Sequence, residues 1–251
     1  MLYFGRTDVG IKRKNNQDTF RTLSINGADI AVVCDGMGGA AGGGVASRLA
    51  CDEFIDSLTV MLNTVDLSEL ADDEIIHMLV ESGTASNKVV YDQANEYADL
   101  EGMGTTLVAC LYRDGRLYVI NAGDSRLYVM TGSRRGVKLI QVTKDHSLVQ
   151  ELYEQGRITK EEAITHPYKN YILRALGTEE KLSYDYFIVD YPFQYALLCT
   201  DGLTNFMSDD EITEILKSGV PIEEKVNCLV NGANEGGGGD NITAVLLQNK
   251  E

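Results

Sequence analysis

Residues 105–132 read TTLVACLYRDGRLYVINAGDSRLYVMTG. Three apolar segments stand between two turn signals, Arg113-Asp114-Gly115 and Gly123-Asp124-Ser125. Connections this short join antiparallel strands, because a parallel pair needs a crossover of about a dozen residues or more. Working outward, VKLIQVT (137–143), LSYDYFIVDY (182–191), YALLCT (195–200), NITAVLLQ (241–248) and DIAVVC (29–34) read as further strands. Residues 45–62, 72–95, 208–217 and 221–234 carry helical spacing, and 146–177 reads as short helices and irregular loop. A mostly antiparallel sandwich with helices on its outer faces accommodates this order, and the hairpins argue against a doubly wound parallel sheet.

The chain has 251 residues, 44% of them apolar, which suffices for one large domain. No repeat or long linker divides it. The start, MLYFGRTDVG, lacks a basic region followed by a long apolar run, and no stretch of about 18 apolar residues occurs. The expectation is therefore neither a signal peptide nor a membrane span. The formal net charge of -16 sets the chain against nucleic acid and anionic membranes. It also demands local cations wherever phosphate is to bind. None of the five cysteines, Cys34, Cys51, Cys110, Cys199 and Cys228, forms a CxxC pair, so buried reduced thiols in a cytoplasmic protein are expected. Three histidines without metal-ligand spacing argue against a zinc site.

One local design recurs. Two buried strands end in the same dipeptide, at Asp35-Gly36 and Asp201-Gly202. Asp240 lies just before a buried strand, and Asp124 sits in the turn AGDSR. A strand delivers its terminal side chain to a fixed place at the sheet rim, and a glycine beside it lets a ligand approach the backbone. Carboxylates gathered together repel one another unless cations neutralise them, and their oxygens suit hard cations such as magnesium or manganese. Taken singly, any one of the four reads as a turn dipeptide that merely ends a strand. The glycine-rich GMGGAAGGGVAS (36–47) lacks a P-loop lysine and the βαβ setting of a dinucleotide site.

The motifs TDVGIKRKNNQD (7–18), CDGMGG (34–39), GMGTTL (102–107), NAGDSRLY (121–128), VTKDHSLVQELYEQGRIT (142–159), HPYKNYILRALG (166–177), LLCTDGLTNFMSDDEI (197–212) and GGGDNITAVLL (237–247) follow in order. With them the chain resembles, over essentially its whole length, the metal-dependent protein phosphatases of type 2C, and most closely the compact bacterial members. The resemblance implies an α+β, four-layer α-β-β-α sandwich in a single catalytic domain, 1–251, with residues 146–177 as a flap over the active site. It implies two Mn2+ or Mg2+ ions. Asp35 would bridge them, the Gly36 carbonyl would bind the first, and Asp201 and Asp240 would hold the second. Asp18 resembles the acidic position that reaches a metal through water. Asp124, with Asp201, resembles the site of a third, weaker ion. Arg13 occupies the phosphate-binding position, where a guanidinium fork matches two phosphate oxygens; by itself, in Lys12-Arg13-Lys14, it also reads as a solvated cation. Asn241 would orient Asp240 or the adjacent loop, and Lys169 and Arg174 of the flap would attract an anionic phosphopeptide, although Lys169 reads more simply as solvated surface charge.

The implied activity is hydrolysis of phosphoserine and phosphothreonine by a metal-bridging hydroxide, with no phosphoenzyme. The implied partners are phosphorylated proteins, a bacterial serine/threonine kinase and its targets in signalling; a cytoplasmic monomer is expected, because no oligomerisation segment stands out. Two departures stand out. Met37 replaces the histidine that eukaryotic relatives carry after Asp-Gly. Ala40 and Gly44 replace the histidine and glutamate usual in bacterial members, removing polar groups from the loop after Asp35. A metal-free binding protein on the same fold and a two-metal phosphodiesterase are the competing readings. The retained aspartates oppose the first; Arg13 and the flap motif oppose the second.

Overall fold

The computed structural model describes residues 1–39, 42–133 and 136–249. Two all-antiparallel sheets face one another. The first is built from β1 (Leu2–Asp8), β7 (Arg126–Ser133), β8 (Gly136–Gln141), β10 (Tyr195–Cys199) and β11 (Ile242–Gln248), in the order β1-β11-β10-β7-β8. The second contains β2 (Asp18–Ile25), β3 (Ala28–Met37), β5 (Leu107–Arg113), β6 (Arg116–Ala122) and β9 (Asp185–Val189), in the order β2-β3-β5-β6-β9. The short β4 (Gly104–Thr105) pairs with the end of β3.

Side-chain alternation explains the layering. In β3, Ile30, Val32 and Cys34 face one way, while Ala31 and Val33 face the other. Both sets are fully buried, so the strand is covered on both faces, which is why it reads as a continuous apolar run. The first set packs under α1 (Gly42–Leu62) and α2 (Asp72–Glu96). The second meets Leu127, Val129, Ala196, Leu198 and Val245 from the opposite sheet. On that sheet's outer face, Leu197, Ala244 and Leu246 pack under α6 (Asp209–Lys217) and α7 (Ile222–Glu235). Three apolar cores thus separate four layers, as the resemblance implies.

The helices follow their spacing. Ala46, Ala50, Phe54, Leu58 and Leu62 recur every four residues and line the buried stripe of α1. Ser208 and Glu211 cap the start of α6 reciprocally, Glu211 N–H donating to Ser208 Oγ at 3.3 Å and Ser208 N–H to Glu211 Oε2 at 2.8 Å. Residues 146–177 hold α3 (Leu148–Glu154) and α4 (Lys160–Thr165), in agreement with the sequence reading.

Some expectations change. Strands β1 and β2 are absent from the sequence reading, because edge strands with half-buried, mixed faces carry little periodic signal. Gly5 of β1 is there to admit the Phe20 ring: a Cβ would lie 2.6 Å from Phe20 Cε2. The one-turn helix α5 (Asp201–Thr204) replaces a plain turn after β10. Cys34, Cys51, Cys110 and Cys199 are buried and unpaired, but Cys228 is exposed on α7, contrary to the expectation for all five. Ala40, one of the two loop departures, lies outside the described residues.

Candidate active site

Strand register brings the first two acids together: Asp18, opening β2, is the cross-strand partner of Asp35, near the end of β3. Asp35 is fixed through its backbone. Its N–H donates to Thr106 Oγ1 at 2.9 Å, and its carbonyl accepts from Thr106 N–H and Thr105 Oγ1 at 2.9 and 2.8 Å. Asp18 reaches across to the other sheet, where Oδ2 accepts from Thr200 Oγ1 (2.9 Å) and Thr243 Oγ1 (2.7 Å). Those threonines flank the remaining ligands of the expected set: Thr200 precedes Asp201 in the first turn of α5, and Thr243 lies just beyond Asp240. Asp124 occupies the turn from β6 to β7. Gly123 before it has φ +122° and lies against Thr106, where a Cβ would stand 2.6 Å from Thr106 Cβ.

The electrostatics unite the five. Burial, then Asp18, Asp201, Asp124 and Asp240, raise the Asp35 carboxyl well above its ordinary range. Burial and then Asp201 do the same to Asp124. Asp18 is pushed up to about 7, chiefly by burial, with the hydroxyls of Thr243 and Thr200 working against the shift. Asp201 is pushed up to about 6 by burial and the charge of Asp240. Among the described residues, no three acidic, histidine or cysteine side chains form a finished metal cage. Charge coupling, rather than a closed polyhedron, therefore defines the cluster.

A cation is what the cluster wants. Asp18 Oδ1, Asp124 Oδ1 and Asp201 Oδ1 are buried acceptors with no donor, half of the six such orphaned side-chain atoms among the described residues. Unpaired buried carboxylate oxygens are costly, and oxygen-only donor sets fit hard divalent ions. The residues present thus fit magnesium or manganese.

Asp240 differs from these three. Asp240 has both oxygens engaged: Oδ1 accepts from Asn241 N–H at 2.9 Å, and Oδ2 from Arg13 Nη2 at 2.8 Å. Asn241 also ties down the loop carrying Arg13, donating to the Val9 and Asn15 carbonyls and accepting from Gln17 N–H. Gly36 lies where only a glycine fits. A Cβ there would stand 2.0 Å from the Gly43 carbonyl oxygen and 2.6 Å from that of Gln17. Its partner Gly43, in the first turn of α1, is equally confined, whereas Gly44 meets nothing closer than 3.7 Å.

The flap cations part company. Lys169 Nζ stands 3.5 Å from Asn205 Oδ1, whose amide donates to Asp201 Oδ2 at 2.9 Å, so Lys169 overlooks the cluster. Arg174 instead turns to Asp185 Oδ1, 2.7 Å away, and is spent on that pair. The roles of Thr200 and Thr243 escape the sequence reading; a hydroxyl inside the otherwise apolar NITAVLLQ is the signal that could have flagged Thr243.

The protein phosphatase 2C family matches residues 11–232. The chain is 41% identical over 247 residues to the serine/threonine phosphatase stp of Listeria monocytogenes, covering 97% of this chain and 94% of that one. Its fold superposes on the serine/threonine phosphatase Stp1 of Staphylococcus aureus with a TM-score of 0.87 at 34% identity, covering 99% and 95%. It also superposes on the catalytic domain of the serine/threonine protein phosphatase PstP in complex with two manganese ions, with a TM-score of 0.79 at 35% identity, covering 98% and 96%.

Proposed function

Because the chain belongs to the protein phosphatase 2C family, we propose that Asp35, Gly36, Asp201 and Asp240 hold its two ions, with Asp18 and Asp124 completing the site. The protein is a metal-dependent serine/threonine phosphatase acting on phosphorylated proteins, and it uses manganese or magnesium. The orphaned buried oxygens on Asp18, Asp124 and Asp201 support their part of this assignment, and the charge coupling of Asp35 to Asp18, Asp201, Asp124 and Asp240 supports Asp35 and Asp240 as members of the same cluster. When bound, the ions supply Lewis-acid charge and an activated water.

The chain's own groups do the rest. Asp35 lies opposite Asp18 in its own sheet and feels the charges of Asp201 and Asp240 from the other, so it would share in holding an ion with them. Arg13 holds Asp240 with one nitrogen, and the fork receives two phosphate oxygens of the substrate as their charge develops. Asn241 fixes the Arg13 loop and Asp240 in one register. Met37 carries no titratable proton, so the leaving group's proton comes from elsewhere in the site.

The finer reading is a monomer, one domain over 1–251 with 146–177 as flap, that opposes a serine/threonine kinase in the cytoplasm. The four buried unpaired thiols support a reducing compartment. Among the described residues no helix is long and apolar enough to cross a membrane.

The test is manganese-dependent phosphate release from a phosphothreonine peptide and from an aryl phosphate. Asp201→Ala and Asp240→Ala should nearly abolish both. Arg13→Ala should raise KM about tenfold, as loss of a charge-assisted bond predicts. Full release by the Asp201 variant, or an unchanged KM without Arg13, would count against these assignments.

A further inference from the structure

His146 lies outside the carboxylate cluster, 8% exposed, where the flap segment begins. It grips a single residue twice. Its backbone N–H donates to the Gly123 carbonyl at 2.9 Å, and its Nδ1 accepts from Gly123 N–H at 3.0 Å. Gly123 immediately precedes Asp124. With Nδ1 accepting, the ring proton belongs on Nε2, which stands 3.2 Å from Asp185 Oδ2. Arg174 Nη1 lies 3.0 Å from the same Nε2; both are donors, and both are drawn to the Asp185 carboxylate. Burial, the largest influence, lowers the imidazole's affinity for a second proton, which keeps Nδ1 available as an acceptor.

The same residue joins the flap to this turn. The His146 carbonyl accepts from Leu173 N–H at 2.8 Å, and the neighbouring Ser147 bridges Ile172. The Asp124 turn has no side chain of its own at the glycine to lock it, since Thr106 fills that space. The imidazole supplies the lock from outside.

We propose that His146 is a positioning residue for Asp124: its Nδ1 fixes the Gly123 amide, aims the Asp124 carboxylate at its ion, and links that aim to the flap. This rests on the reading of Asp124 as an ion ligand.

Two substitutions in the full chain separate the ring's two nitrogens. In His146→Asn, the side-chain oxygen can stand where Nδ1 stands and accept from Gly123. In His146→Gln, the amide reaches the Nε2 position and leaves the Gly123 amide unpaired. Mn2+ binding is followed by titration calorimetry, and kcat and KM by phosphothreonine-peptide turnover across Mn2+ concentrations. His146→Gln should weaken the weakest Mn2+ step about tenfold, the scale of an unsatisfied buried donor. It should leave the tighter steps and KM unmoved, while His146→Asn stays near the wild type in that weakest step. Equal behaviour of the two variants, or an unmoved weakest step in the Gln variant, overturns the positioning role. Asp124→Asn is the control. If it too leaves every Mn2+ step unmoved, the ligand reading of Asp124 falls and takes the proposal with it. Should the Gln variant fail to fold, loss of the weakest step in His146→Asn alone overturns the proposal.

Discussion

Asp18 holds one carboxylate oxygen against two threonine hydroxyls and leaves the other without a donor. Burial raises its pKa to about 7, and burial with Asp240 raises that of Asp201 to about 6. The sign follows from linkage. Acids whose folded pKa exceeds the unfolded value near 3.8 make the folded state bind more protons between those limits. Their contribution to stability is complete below about pH 3.8 and is lost as pH rises towards 7. Chelator-treated protein should therefore melt several degrees lower at pH 7.5 than at pH 5, and Asp18→Asn should flatten that slope. A wild-type slope of opposite sign, or one untouched in the variant, would refute the assignment. The same residue shows where sequence reading stops. That Asp35, Asp201 and Asp240 end or begin buried strands is legible from the apolar runs beside them. That Thr200 and Thr243 converge on Asp18 is not, because one hydroxyl comes from the cap of α5 just after β10 and the other from β11, and only the folded chain brings them together across from Asp18.

At the scale of elements, the joint between β3 and α1 depends on two glycines set back to back. Gly36 meets the Gly43 carbonyl, and Gly43 meets that of Gly36, at distances no Cβ can occupy. Gly36→Ala should cost about 3 kcal/mol through overpacking. Gly44→Ala, whose Cβ would meet only ordinary van der Waals contacts at 3.7 Å or more within the first turn of the helix, should be neutral or stabilising by up to about 1 kcal/mol. Thermal or urea melts of the two variants check this, and equal losses would contradict it. The glycine run thus serves close backbone packing, a role its lack of polar side chains had hidden. The central strands β3, β5 and β6 announce themselves by being apolar on both faces. Edge strand β1 does not, since Gly5, Arg6, Thr7 and Asp8 break any alternation, and β2 does not, since its faces are mixed and mostly half-buried. Helix α5 is too short for a periodic signal of its own.

For the whole molecule, a formal charge of -16 opposes the approach of an anionic phosphopeptide. Raising ionic strength from about 0.01 M to about 0.15 M, which shortens the screening length roughly from 30 to 8 Å, should raise kcat/KM for an acidic phosphopeptide. The same change should lower it for one flanked by lysines. Initial rates at fixed Mn2+ decide the matter; identical salt responses would remove long-range steering from the account. The acids also come from both sheets: Asp18 and Asp35 from one, Asp201 and Asp240 from the rims of the other. An ion held by these acids, as proposed, would act as a rivet through the laminate. Amide protons of β3 and β11 near the site should then gain protection from exchange together when Mn2+ is added, by a factor that tracks ion occupancy. The far ends of the same strands should respond less, so the sandwich would breathe as a hinge that opens away from its own catalytic edge.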